Sequence, residues 1–200
     1  HPVGVGTAVG DADREEGEGA VGVAGDAALA GRGAGGRLRL VDDQRPGEQR
    51  LEKMVSGRYM GELFGMAIAE LLGEKGKKYG FTSIDMSNII LDETAGLTEV
   101  GRIVSAKTGH DLEEVDRQRL QELASALVVR SARLVTATYV GIIWQLAGDD
   151  AIKKQHIAID GSVYEKMPLA KENIMRALSE LLGESASLVD TVLENGGSGL

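Results

Sequence analysis

The sequence predicts a mixed α/β domain with helix in excess, preceded by a low-complexity segment. Apolar residues recur at a helical period over most of residues 51–146. After Gly148 the order changes to strand, glycine turn, helix, strand, glycine turn, which is the alternation of an α/β layer. Glycine is also unevenly spread: residues 1–36 hold 11 of the 28 glycines, leaving 17 for the other 164 positions.

Residues 1–36 contain no Lys, Ser, Asn, Gln, Ile, Met, Phe, Tyr or Trp, and Leu29 is their only leucine. Such a segment cannot bury enough apolar surface to offset chain entropy, so it is expected to be disordered or weakly ordered. Its alphabet of Gly, Ala, Val, Arg, Asp and Glu is also what GC-rich DNA yields in an arbitrary frame, so a miscalled segment upstream of about Asp43 is the other account. Gly4-Val5-Gly6-Thr7 could cradle a phosphate, but Gly-Thr within a glycine-rich stretch arises readily by chance. The expected organisation is a Gly/Ala-rich segment over residues 1–43 and a globular part over 44–200.

Pro46-Gly47 signals a turn, and the apolar positions from Leu51 through Phe64, Ile68 and Leu72 trace a helix up to Gly73, with a break near Ser56-Gly57. Residues 85–94 carry polar punctuation and read as a short helix running into a loop. Residues 98–107 read as a helix with Thr98 as N-cap and Gly109 just past its end. The longest pattern, 112–146, places Leu120, Leu123, Leu127, Val128, Ser131, Leu134, Val135, Thr138, Ile142 and Ile143 on one broad face. Arg130 and Arg133 interrupt it, so it reads as a core helix and not a membrane span. Residues 156–159 form a short β-branched strand ending in Asp160-Gly161-Ser162. Pro168 lies near the first turn of a helix that runs to Leu182 and closes at Gly183. Residues 188–193 read as a second strand, which should pair with the first in one sheet across that helix.

Composition excludes several function classes. Against 22 Lys+Arg stand 31 Asp+Glu, a net charge of -9, and phosphate-backbone binding needs a basic face instead. With no cysteine there is no disulfide framework, thiolate metal site or thiol nucleophile. No run of about 18 residues lacks a charge and no basic segment leads into an apolar stretch at the N-terminus, so a soluble, cytoplasmic protein is expected. His110 and His156 have no carboxylate at ligand spacing, so no metal site is expected; nor is there a Ser-His-Asp arrangement or Walker-type loop.

Two weak signals remain. Gln49 and Glu52 lie three apart at a helix start, and a carboxamide beside a carboxylate can satisfy vicinal sugar hydroxyls. Spacing alone is met as well by solvated polar residues, with Glu favoured by the helix dipole. Asp160-Gly161-Ser162 and Gly197-Ser198-Gly199 each follow a strand, where nucleotides usually sit in open α/β sheets, although plain turns would look the same.

Three ordered segments carry a resemblance. Arg45-Pro46-Gly47-Glu48-Gln49-Arg50-Leu51-Glu52-Lys53-Met54-Val55-Ser56-Gly57-Arg58-Tyr59-Met60-Gly61-Glu62-Leu63 resembles the hexokinase family pattern Asn-Pro-Gly-x-Gln-x-x-Glu-Lys, a hydrophobic pair, then Ser/Gly-Gly-x-Tyr-x-Gly-Glu. Val129-Arg130-Ser131-Ala132-Arg133-Leu134, with Gly141-Ile142-Ile143 after it, is similar to the family's long core helix, and Ile159-Asp160-Gly161-Ser162-Val163-Tyr164-Glu165 to its adenosine segment. The resemblance covers the chain after Gln44. It implies part of the large domain of an actin-like (ribonuclease H-like) α/β fold that phosphorylates a hexose such as glucose, with ATP and Mg²⁺ held through the nucleotide. Gln49 and Glu52 would contact hexose hydroxyls, Gly57 and Arg58 would lie beside ATP, and Gly161 with Ser162 would line the adenosine pocket.

The departures also matter. The family's catalytic aspartate, Ser-Phe-Pro segment and Gly-Thr-Gly loop precede the position of Pro46, and none is recognisable in residues 1–43. Arg45 stands where the family has Asn, and Gly196 where it usually has Asp. The resemblance therefore implies an incomplete hexokinase without its base, inactive as it stands; the alternative is a non-catalytic hexokinase-like module that binds a sugar or a partner.

Overall fold

The computed structural model describes residues 48–193, which belong to the compact unit Arg37–Leu200. The expectations for residues 1–43, Arg45, Gly196 and the Gly197-Ser198-Gly199 turn fall outside the described residues. In chain order the elements are α1 (Arg50–Val55), α2 (Gly57–Leu71), α3 (Ser83–Ile90), α4 (Thr98–Thr108), α5 (Glu114–Ala147), β1 (Gln155–Ile159), α6 (Ser162–Lys166), α7 (Ala170–Leu182), a 3₁₀ turn (Gly183–Leu188) and β2 (Val189–Leu193).

Ser56 separates α1 from α2, because its extended backbone ends one helix and begins the next. Two α2 glycines then serve packing. A Cβ on Gly61 would lie 2.5 Å from the Phe81 carbonyl oxygen and 2.6 Å from Thr82 backbone atoms, and one on Gly65 would lie 3.3 Å from the Phe81 ring. The segment 79–82 can thus lie directly on α2, with the Phe81 ring edge-on to Phe64 at 5.2 Å between centroids. From there α3 starts with a full capping box: Asp85 N–H donates to Thr82 Oγ1, and the Asp85 carboxylate accepts from the Thr82 N–H.

The start of α4 corrects one expectation. Thr98 is the first helical residue and Leu97 is the N-cap, at φ 51° and with no side-chain oxygen to offer. The preceding loop caps the helix instead: Asp92 accepts the Val100 N–H at 2.8 Å, and Thr94 Oγ1 accepts the Thr98 N–H at 2.9 Å. Burial pushes the Asp92 carboxyl up, but hydrogen bonds from Thr94 and Val100 outweigh it and leave the group below its ordinary value.

At 34 residues, α5 extends roughly 50 Å and passes through two apolar cores. Its first half packs Leu120, Ala124 and Val128 with Met60, Phe64, Met86 and Val104. Its second half packs Ala132, Val140 and Ile143 with Ile159, Ile174, Leu178 and Val189. The buried stripe there is Ala132, Thr136 and Val140, whereas Thr138 and Ile142 are exposed and Leu134 is only part-buried, against the expected face. The cause is α7, which lies along this half of α5 with buried Ala170, Ile174, Ala177 and Leu178, so small residues at four-residue spacing let the two axes approach. By length and composition α5 is the one helix among the described residues that could cross a membrane; here it is the shared wall of both cores.

Strands β1 and β2 pair in parallel, with Gln155 opposite Val189 and Ile157 opposite Thr191, and α7 lies between them in the chain, as expected. Ile159 and Val189 face the second core, while His156 and Asp190 pair across the open face. The five-residue α6 carries no sequence signal of its own. Pro168 stands just before α7, and Gly183 at φ 55° closes that helix.

Candidate functional site

Residues far apart in sequence meet because α5 is clamped at its middle. The Ser131 hydroxyl, 3 % exposed, donates to the Val55 carbonyl at 3.0 Å, tying α5 to the end of α1 across 76 positions. The α1–α2 junction therefore stands beside α5 at Ser131. Gly57 makes the contact to the other side, since a Cβ there would lie 2.7 Å from Val163 Cγ2. A side chain at position 57 would force the Val163 side chain of α6 to move.

Between these parts lies a cleft of about 380 Å³. Gly57 and Arg58 form one rim, Asp160, Gly161 and Ser162 the facing rim, and Ala132, Val135 and Tyr139 of α5 the floor. Gly161 has φ 153° and ψ 136°, a conformation essentially confined to glycine, and it turns the chain sharply from β1 into α6. The first α2 N–H groups meet no side-chain cap, and Gly57 and Arg58, the residues that open that helix, line the cleft. The Arg58 guanidinium lies 5.5 Å from the Tyr59 ring centroid. Burial, and secondarily the neighbouring Tyr164, raises the Tyr139 phenol above its ordinary value.

Four of the six residues singled out in the sequence, Gly57, Arg58, Gly161 and Ser162, thus line one cleft. The other two stand apart from it. Gln49 is the N-cap of α1 and Glu52 lies in its first turn, both exposed, at the far end of α1 from Gly57. Asp160 and Ser131, which the sequence motifs include, also line the cleft, as do Ser83 and Tyr139, which no sequence motif singles out. A signal exists for Ser83: Thr82-x-x-Asp85 is a helix-start signature that sets it at the first turn.

A second cleft, about 420 Å³, shares Gly57, Arg58 and Ser83 and is walled by Glu62, Lys77 and Tyr79. Beside it Glu74 accepts from Lys77 at 2.7 Å and from the Tyr79 hydroxyl, and it pairs with His110 at 3.2 Å. Lys77 first, then Tyr79, hold the Glu74 carboxyl down to about 2. Among the described residues no three His, Asp or Glu side chains gather as a metal site.

Comparison with known proteins places this geometry in context. The family model described as hexokinase matches residues 39–200. The chain is 35% identical over 176 residues to hexokinase-7 of Oryza sativa subsp. japonica, covering 78% of this chain and 37% of that protein. It is 30% identical over 167 residues to hexokinase-2 of Candida albicans, covering 76% and 34%, and 32% identical over 157 residues to hexokinase-1 of Saccharomyces cerevisiae, covering 72% and 31%. A solved hexokinase structure superposes with a TM-score of 0.62 at 24% identity, over 79% of this chain and 37% of that one. The chain spans about a third of the length of the curated relatives it matches.

Proposed function

The chain belongs to the hexokinase family, and from that premise we propose that its cleft is the nucleotide side of an ATP-dependent hexose phosphotransfer site. The fold, a helix-rich part of the actin-like α/β architecture, is the one the sequence predicts. The observation that carries the reading is the convergence of Gly57 and Arg58 with Gly161 and Ser162, about a hundred residues apart, on one cleft.

In this reading the phosphates lie at the uncapped start of α2. Helix N–H groups and the Arg58 guanidinium favour negative charge there. The adenosine lies between Gly161, Ser162 and the α5 floor, where the glycine leaves open space and Ala132 and Val135 offer an apolar surface. The residues fit ATP in charge and shape, and Mg²⁺, held through the nucleotide, would neutralise phosphate charge. Gln49 and Glu52 take the hexose hydroxyls. Glu52 stands five residues, roughly 8 Å, before Gly57 and Gln49 lies farther still, so α1 spaces sugar from phosphate. The division of labour is positioning: α1 orients the acceptor hydroxyl while the α2 start holds the transferring group.

Calorimetric titration of the chain with ATP tests the site. Wild type binds, and Arg58→Glu weakens binding by about tenfold or more, because it replaces an attraction to phosphate with a repulsion. Equal ATP affinity in the two proteins would overturn the phosphate assignment. A coupled glucose assay on the same chain is expected to show no turnover, since the family's proton-accepting segment is not recognisable in residues 1–43. Turnover above background would locate that base in this chain.

A further inference from the structure

Resting on the nucleotide-site reading above, we propose that the Tyr139 hydroxyl reads the nucleobase, accepting a hydrogen bond from the 6-amino group of adenine. Few polar groups reach the cleft from α5. Of its lining residues, Val128, Ala132 and Val135 have no side-chain polar atom, and the Ser131 hydroxyl is engaged by the Val55 carbonyl. The Tyr139 hydroxyl has no hydrogen-bond partner among the described residues. The neighbouring Tyr164 hydroxyl is already engaged, 2.7 Å from Thr191 Oγ1. Among the described residues, the part-buried Tyr139 phenol is thus the one side-chain polar group of the α5 floor with no protein partner, and it lines the cleft where a ligand can meet it.

Position along the helix supports the same assignment. Ser131 is clamped at the α1–α2 junction, beside Gly57 and Arg58. Tyr139 lies eight residues further along, which is roughly 12 Å at 1.5 Å per residue. That is the reach of a ribose with its phosphate chain. A nucleotide with phosphates at Arg58 brings its base, not its sugar, to Tyr139. Val135, one turn earlier, offers an apolar surface to ring and ribose.

The probes are ATP and purine riboside 5′-triphosphate, which keeps the rings, ribose and phosphates but lacks the 6-amino group. Both are titrated calorimetrically into the 200-residue chain and into its Tyr139→Phe variant, a change that conserves ring volume. Wild type is expected to bind ATP about fivefold to tenfold more tightly than the analogue, the scale of one neutral hydrogen bond. Tyr139→Phe is expected to bind both with the analogue's affinity. Tyr164→Phe, which alters a hydroxyl engaged elsewhere, should keep the wild-type ratio. Three outcomes would overturn the proposal: an unchanged ratio in Tyr139→Phe, equal wild-type affinity for both nucleotides, or the same loss in Tyr164→Phe. If wild type binds neither nucleotide, the nucleotide-site reading falls and takes this assignment with it; a nucleotide-binding wild type with an unchanged ratio removes the Tyr139 assignment alone.

Discussion

The same substitution at two helical glycines should act in opposite directions. Glycine within a helix costs about 1 kcal/mol relative to alanine, so Gly→Ala is stabilising wherever the new methyl finds room. Gly141 in α5 is such a place, with no heavy atom within 4 Å of an added Cβ. Gly61 in α2 is the reverse. Its Cβ would meet the Phe81 carbonyl oxygen at 2.5 Å and Thr82 backbone atoms at 2.6 Å, where ordinary contact begins near 3.4 Å. The segment would have to retreat by about 0.9 Å, and no rotamer change can relieve contacts made with backbone. It is also held in place: Lys107 donates to the Gly80 carbonyl at 2.8 Å, Thr82 caps α3, and the Phe81 ring is buried against Phe64. Overpacking of this kind costs about 3 kcal/mol at its upper range. Less the gain in propensity, Gly61→Ala loses about 2 kcal/mol and Gly141→Ala gains about 0.5–1 kcal/mol. At roughly 2–4 °C per kcal/mol for a domain of this size, Tm falls by about 4–8 °C in the first variant and rises by about 1–4 °C in the second. Thermal and urea denaturation followed by far-UV circular dichroism measures both. A stabilised Gly61→Ala would mean that residues 81–82 do not lie on α2 in solution.

Ser131→Ala leaves the Val55 carbonyl without its partner and should cost about 1–2 kcal/mol in urea denaturation; a loss below about 0.3 kcal/mol would show that the α1–α5 clamp is idle. Asp92 has its pKa lowered in the folded chain, so its stabilisation is full above the unfolded carboxylate value near pH 4 and is lost as pH falls through the folded value. The stability gap between wild type and Asp92→Asn should accordingly be widest above about pH 4 and close below it, and a gap independent of pH would remove the capping role. For the proposed sugar site, Glu52→Ala should weaken glucose binding by about tenfold or more, because hydroxyls would lose a charged acceptor, while ATP affinity stays near wild type. Glu48→Ala is the control, and equal effects of the two substitutions would count against Glu52.

The elements were readable where one local rule governs them. The strands around Ile157 and Val189 follow from β-branched runs bounded by glycine, and their pairing follows from the helix between them. The face of α5 was not. A periodicity reading selects the largest apolar side chains, such as Leu134 and Ile142, whereas close packing of α7 selects the small Ala132 and Thr136. Thr98 misled for a related reason: its capping groups sit in the loop before it, at Asp92 and Thr94, and local propensity does not register them. At the cleft, the resemblance supplied Gly57, Arg58, Gly161 and Ser162. Tyr139 emerges only when α5 is laid against α1, because nothing in a helical repeat says which partner it meets.

An unbroken helix under the cleft also fixes which changes of length the chain tolerates. Ser131, Val135 and Tyr139 reach the cleft because they recur about once per turn. Deleting one residue between Ser131 and Tyr139 would swing everything beyond it by about 100° and shift it by about 1.5 Å, carrying Tyr139 off the floor and Val140 and Ile143 out of the second core together. Inserting four residues would bring the angle back to within about 40° but displace the second core by about 6 Å from the first. Substitutions here can be absorbed one side chain at a time, whereas insertions and deletions act on both cores at once. Loops such as residues 148–154 share no such phase relation, so natural variation in length belongs there.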